Sequence, residues 1–206
     1  MAGAIWEQFI TGIQHTTALE FIGTIAGIAS VWFSRKENIL VYPVGLVNTL
    51  IYTWLSLKGH LYGEASVNIY YSVMSVYGWV LWARRGTDQE HVLRITASSR
   101  KDWLQQWLFF GVFYGVLFFC LHWLKQAFAP EAIPWADALA SASAYTGMWL
   151  MARKKIESWY WWIITNLASI PLYFVKGYVF TSFQFLVLLV LAVAGLLSWR
   201  KKYKED

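Results

Sequence analysis

Trp159, Trp162 and Asn166 stand three and then four residues apart, so a helix carries all three on one face. Two indoles beside a primary amide could stack on a flat ring, attract a positive charge on it and exchange hydrogen bonds with its polar substituents. Asn48 is a second asparagine near the centre of an earlier apolar stretch. An unpaired amide at such depth costs about 2 kcal/mol. It therefore either bonds to a neighbouring helix, worth roughly 0.6–2 kcal/mol in a membrane, or meets a ligand. Both readings stay open for Asn48. The tryptophans tilt Asn166 toward a ligand, although Trp159, near the end of its stretch, also fits the interfacial position that tryptophan favours. Trp161 points elsewhere, to lipid or to another helix.

Complementary lining is available on a third stretch, where Asn68, Tyr71, Ser72, Ser75 and Trp79 recur at helical spacing. Tyr52, one turn beyond Asn48, adds a hydroxyl, and the counterpart of this lining in the last stretch is apolar except for Gln184 near its outer half. No Lys or Arg lies deep in any apolar stretch, so phosphate and carboxylate find no partner there. No acid lies at mid-depth either, which removes the usual group for proton or sodium coupling. Glu20, Glu64 and Asp137 fall at one set of ends, where they predict a negative mouth that favours cations; solvated end caps are the alternative. Enzyme chemistry has no support. His15, His60, His91 and His122 lie at no metal-binding spacing, HExxH, DxxD and nucleophile-elbow motifs are absent, and no metal or cofactor is expected. The last stretch also lacks the central lysine of a retinal protein.

The elements that must position these residues are membrane spans. Of 206 residues, 58% are hydrophobic and only 14% charged, against about 25% charge in soluble domains. Crossing a bilayer takes roughly 20 helical residues, and seven stretches qualify: 17–34, 39–57, 61–83, 103–126, 134–152, 157–175 and 178–199. Cys120 sits inside the fourth, so no disulfide contributes. Residues 1–16 lack the basic start of a signal peptide; Ile5, Trp6, Phe9, Ile10 and Ile13 share a face, as in an interfacial helix. The net charge of +5 does not point to nucleic acid. All but Lys58, Lys125 and Lys176 of the 17 Lys and Arg fall on one side of this seven-span layout. Positive charge marks the cytoplasmic face, which predicts an outer N-terminus and a cytoplasmic C-terminus.

The chain repeats itself. Arg35-Lys36 recurs as Arg153-Lys154, Asn48 as Asn166 and Lys58-Gly59 as Lys176-Gly177; one residue of slippage then aligns Gly78 with Gly195 and Trp82 with Trp199. In this register Val41 and Val44 stand where the second copy has Trp159 and Trp162, so the halves share a frame and not a binding surface. Three spans followed directly by three would invert the second copy. The extra span at 103–126 restores its orientation and gives an all-α, 3+1+3 arrangement of parallel repeats like that of the SWEET sugar carriers. The expected regions are an interfacial helix at 1–16, a first repeat with its loop at 17–102, a linking span at 103–133 and a second repeat with a basic tail at 134–206. Gly111 and Gly115 in the linking span have the spacing of a close helix contact. Pro43 and Pro171 are candidate hinges. Parallel duplication around a polar midplane argues for transport, with a SWEET-like carrier of sugar as one reading.

Gly23-Thr24-Ile25-Ala26-Gly27, Gly45-Leu46-Val47-Asn48, Tyr77-Gly78-Trp79, and Glu157-Ser158-Trp159 followed by Trp162 and Asn166 resemble the PnuC family of bacterial vitamin transporters. The likeness runs over nearly the whole chain and is loosest in the fourth span. It implies uptake of nicotinamide riboside across the inner membrane by facilitated diffusion, a homotrimer, and trapping of the riboside by a cytoplasmic kinase. Relatives carrying thiamine or riboflavin keep another vitamin open. The physics agrees: tryptophan faces suit a pyridinium cation, worth about 2 kcal/mol when desolvated, and Asn, Gln, Tyr and Ser suit its amide and ribose.

Overall fold

The computed structural model describes residues 17–58, 62–84, 93–127 and 133–205, together with Glu7, Ile10 and Thr11. The interfacial helix expected at 1–16 lies outside the contiguous described residues. Among the described residues the chain forms seven helices: α1 (Ala18–Arg35), α2 (Val41–Lys58), α3 (Tyr62–Ala83), α4 (Arg100–Ala127), α5 (Pro134–Ala152), α6 (Ser158–Val175) and α7 (Val179–Glu205). Each coincides with an expected apolar stretch to within a few residues, except that α4 starts early and α7 continues through the basic tail.

The helix ends follow from local chemistry. A capping box starts α1: the Glu20 N–H donates to Thr17 Oγ1 at 3.2 Å, and the Thr17 N–H donates to Glu20 Oε2 at 2.6 Å. Proline opens α5, where its missing N–H is not needed. Helices α1 and α5 stop in the same manner. Glu37 and Lys154 both adopt left-handed backbone, with φ of 59° and 50°. The next N–H in each case reaches back to a last-turn carbonyl, Asn38 to Phe33 at 2.9 Å and Lys155 to Leu150 at 3.0 Å.

Helix α2 packs between α1 and α3, and α6 packs between α5 and α7. Contacts of α1 with α7 and of α3 with α5 join the two groups, while α4 lies along α5. Helix α5 can touch three neighbours because it is built from small residues. Ala136, Ala138, Ala140, Ala142, Ser143, Ala144 and Gly147 are all buried, and small side chains let helix backbones approach. Helices α4 and α7 are long and apolar enough to cross a membrane by length and composition. The other five are 18 to 22 residues long and direct several polar side chains at one another.

The main hydrophobic core lies at the basic end of the bundle. Tyr42, Trp82, Met151, Trp159, Leu196 and Trp199 form it, joined by Ile95 and Ile156 from loops. The loop before α4 is strapped to the α5–α6 turn. The Thr96 N–H donates to the Lys154 carbonyl, and the Ile156 N–H donates to the Thr96 carbonyl, both at 3.1 Å. Glu157 completes the strap by accepting from the Ser98 N–H at 2.9 Å and Ser98 Oγ at 2.6 Å. Gln106 carries the network onward, donating to Ser98 Oγ at 2.8 Å and accepting from Trp161 Nε1 at 3.1 Å. Trp161 therefore anchors α4, ringed by Trp107 and Phe110. Asp102 contributes an ion pair to Lys155 at 3.1 Å; the Ser99 backbone N–H and Lys155 hold its carboxyl at about 2.

Candidate functional site

Helix α6 directs its polar and aromatic residues to three different neighbours. Thr165 Oγ1 reaches the Ala140 carbonyl of α5 at 3.4 Å. Trp162 lies over Gly147 of α5, where an added Cβ would sit 3.2 Å from the indole. A side chain at 147 would push the ring away. On its other side Trp162 meets Tyr71 of α3, ring centres 6.3 Å apart. Tyr71 in turn stands edge-on to Tyr145 of α5 at 6.2 Å. Trp162, Tyr71 and Tyr145 thus form an aromatic cluster, the candidate cleft, where α3, α5 and α6 converge. Tyr70 supports it, its ring tilted against that of Tyr145 with centres 4.5 Å apart and its hydroxyl donating to the Tyr145 carbonyl at 3.1 Å.

One turn from Trp162, Asn166 is only 3% exposed. Its amide makes no hydrogen bond with any described residue. An amide left unsatisfied at depth costs about 1–3 kcal/mol. Ser143 Oγ, fully buried on α5, is likewise unpaired. Gln184 of α7 is half-buried and without an intramolecular hydrogen bond among the described residues.

The other residues singled out from the sequence fall elsewhere. Asn48 is interhelical glue, its Nδ2 donating to the Gly23 carbonyl at 2.7 Å. Tyr52 shares a 2.8 Å hydrogen bond with Thr24. Ser72 bonds to Thr49 at 2.8 Å and to the Asn68 carbonyl at 3.0 Å. Ser75 is buried on α3 beside Gly45, while Trp79 is 40% exposed and faces away from the bundle. Trp159 does not line the cleft. Its ring is closed between Gly195 and Trp199 of α7, with 1% exposed. Nothing of the indole is left for a solute in this conformation, because a side chain seven residues before Asn166 is two turns nearer the basic end.

Three further expectations need correction. The Trp162–Gly147 packing is mirrored by Gly45 over Ser30, and the Thr165–Ala140 bond by Asn48–Gly23. By contacts, then, Gly45 answers to Trp162, Tyr42 to Trp159 and Thr165 to Asn48, one residue away from the match of Asn48 with Asn166. Pro43 is not inside a helix body: it lies in the first turn of α2, where proline is tolerated. Pro171 does lie inside α6, and Ser182 Oγ of α7 donates to the carbonyl of Ile170 beside it at 2.8 Å. The negative mouth is weaker than expected. Asp137 pairs with Lys176 at 2.7 Å and caps the Ile133 N–H at 2.8 Å, and Glu20 serves the capping box. The Glu64 side chain lies outside the described residues.

Sequence reasoning missed Tyr145. Its signal was a single large aromatic in the run Ala-Ser-Ala-Ser-Ala-Tyr-Thr-Gly, where small neighbours leave one ring to fill the space between helices. A groove of about 420 Å³ between α4 and α5, lined by Gln105, Leu108, Phe109, Val112, Phe113 and Trp149, contains none of the polar candidates.

A bundle of seven apolar helices with polar side chains and aromatic rings gathered between them has the form of a membrane carrier. The sequence model of the family described as nicotinamide mononucleotide transporter matches residues 17–201, and the chain belongs to this family, that of PnuC. It is similar to the nicotinamide riboside transporter PnuC of Escherichia coli (strain K12), with 24% identity over 91% of this chain and 87% of that one. It is also similar to the riboflavin/roseoflavin transporter RibM of Streptomyces davaonensis, with 25% identity over 97% and 92%. A crystal structure of the vitamin B3 transporter PnuC shares the fold, with a TM-score of 0.71 over 99% of this chain and 90% of that one at 22% identity. Membership implies a multi-pass protein of the inner membrane and a vitamin transporter rather than an enzyme.

Proposed function

We propose that this protein carries nicotinamide riboside across the inner membrane by facilitated diffusion. The observation that carries the reading is the cleft of Trp162, Tyr71 and Tyr145 beside the unpaired amide of Asn166. The pyridinium ring stacks against the aromatic faces, which attract its charge. Asn166 meets the carboxamide, and Ser143, Ser75 and Gln184 are available to the ribose. Asn48, Tyr52 and Asn68 brace the opposite wall, and Trp159 packs behind the site against α7.

The family description names the mononucleotide, whereas the Escherichia coli relative is named for the riboside. The riboside is the better fit because no Lys or Arg lies on the helical stretches that line the cleft. A phosphate would enter without a partner, at several kcal/mol. Exclusion of the phosphorylated form is also what makes uptake one-way: a cytoplasmic riboside kinase traps what the carrier admits. With no ionisable group at mid-depth, transport needs no ion gradient.

The frame that supports this work is a pair of parallel three-helix repeats linked by α4. Helices α2 and α6 begin and end 117 residues apart, the separation of the paired residues Ser34–Met151 and Glu37–Lys154. Residues that touch their own counterparts are those expected on an axis between two copies. Basic residues concentrated at one end favour a cytoplasmic C-terminus and an outer N-terminus. The bare face around Gly111 and Gly115, which no helix of the chain covers among the described residues, suits a homotrimer contact.

A second vitamin remains the alternative because RibM matches the chain as fully as PnuC does. Titrating purified protein with nicotinamide riboside, riboflavin, thiamine and hexoses, followed by tryptophan quenching, separates the readings. The riboside should bind at least tenfold tighter than the others and than its mononucleotide. In proteoliposomes it should equilibrate and stop. Tighter binding of riboflavin or a hexose, or uphill accumulation driven by a proton or sodium gradient, would overturn the assignment.

A further inference from the structure

At the basic end, the two helix groups are tied together by side chains from both. Ser34 Oγ of α1 contacts Met151 Sδ of α5 at 2.9 Å. Trp199 Nε1 of α7 donates to the Ser34 carbonyl at 3.0 Å, and Trp82 Nε1 of α3 donates to the Ala152 carbonyl at 3.2 Å. These two indoles cross the seam in opposite directions and meet each other with ring centres 6.1 Å apart. Beyond them Glu37 takes Lys154 at 2.7 Å and Lys202 at 3.1 Å, and Lys154 Nζ lies 4.6 Å over the Trp82 ring. A solute released toward this end would have to pass between the ends of α1 and α5, where all of these groups lie.

Two features mark this seam as a moving joint rather than part of the static core. The α5–α6 turn is strapped to the α4 loop by backbone bonds through Thr96, so α4, α5 and α6 are held as one body. The seam itself is closed by side-chain contacts, which can be exchanged without unfolding a helix. The second feature is the choice of residue. Glu37 and Lys154 sit at left-handed positions after the ends of α1 and α5, where glycine is the easy choice. A charged residue in each place, each the other's partner, keeps an ionic latch at the expense of backbone ease.

We infer that Trp82, Trp199, Ser34 and Met151 form the cytoplasmic gate of the carrier, and that Glu37 with Lys154 and Lys202 is its latch. This rests on the transport reading above and names the side that must open for release. The structure has this gate shut.

The test joins Ser34→Cys to Met151→Cys in a Cys120→Ala background, which removes the free cysteine of α4. In proteoliposomes the reduced protein sets the reference uptake of nicotinamide riboside. Oxidation to the disulfide should slow uptake at least tenfold, leave riboside binding within twofold, and be reversed by reductant. Oxidised protein that transports within twofold of the reduced form would overturn the gate. A second arm uses no substrate and so judges the gate even where the riboside proves the wrong ligand. Ser34→Cys alone, buried at 3% exposure, is labelled with a membrane-impermeant maleimide from the basic side. Adding Glu37→Gly, which suits the left-handed backbone and removes only the latch, should speed labelling at least threefold. An unchanged rate would overturn the latch.

Discussion

Deep polar groups of α1–α3 bond mostly to one another, the Tyr42 hydroxyl at the basic end excepted, whereas α5–α7 leave more of theirs open. In the first group Asn48 bonds to Gly23, Tyr52 to Thr24, and Ser72 to Thr49, at 2.7 to 2.8 Å. In the second, Asn166 and Ser143 are buried without a partner. The aromatic side is equally uneven: Gly45 stands over Ser30 where Trp162 stands over Gly147. Two groups of similar packing have thus been put to different uses. The first is a largely self-paired wall, and the second holds the groups proposed to recognise a solute. A polar residue at depth is informative only once its partner is known, and partners are what distinguish these two walls.

Removing the aromatic member on the recognising side should have the largest effect. Trp162→Ala should weaken riboside binding at least tenfold, about 1.4 kcal/mol, as followed by calorimetry on folded protein. Its counterpart by contact is a glycine, so the first wall cannot compensate. Unchanged affinity in a folded variant would return Trp162 to the status of packing against Gly147.

The two asparagines should then separate binding from stability. Asn166→Ala should lower riboside affinity about fivefold, equivalent to ~1 kcal/mol, and leave the thermal midpoint in detergent unchanged or higher, since it removes an unsatisfied amide. Asn48→Ala should do the reverse. It removes a bond between α1 and α2 worth about 1 kcal/mol, lowers the midpoint, and leaves affinity within about twofold. If both variants lose affinity alike, the contrast between the walls fails and the cleft extends across to α2.

Much of this was legible before any coordinates. Seven apolar stretches define seven helices because the bilayer leaves the backbone no other way to satisfy itself, and the charge split marks one end. Helical spacing also puts Trp162 and Asn166 on one helix and Tyr71 on another. The rest depends on contacts between helices, which spacing along one helix does not encode. Trp159 shares a face with Asn166, yet the close approach of α7 at Gly195 closes over it. Asn48 looks like Asn166 in sequence and differs only in that the Gly23 carbonyl lies within reach. Glu157 reads as a motif residue and proves to be the acceptor of the strap through Ser98. Tyr145 escaped because a lone tyrosine has no periodic pattern.

The smallest effect concerns the seam between the walls and comes from pH. Burial works against the Glu37 carboxylate, but hydrogen bonds and charge from Lys154 and Lys202 outweigh it and hold its pKa below the ordinary 4.5. A carboxyl lowered by folding adds stability that is fully present above 4.5 and is lost as pH falls through the lowered value. The stability difference between wild type and Glu37→Gln should therefore be level from neutral pH to about 5 and close at more acid pH. Because Glu37 is partly open to solvent, with 22% of its side chain exposed, the difference should be about 1 kcal/mol or less and shrink in high salt. Thermal midpoints of the two proteins in detergent, taken across pH and at two salt concentrations, measure it. A gap that persists unchanged into acid would mean that the Glu37 carboxyl acts through hydrogen bonds an amide does not reproduce rather than through its charge.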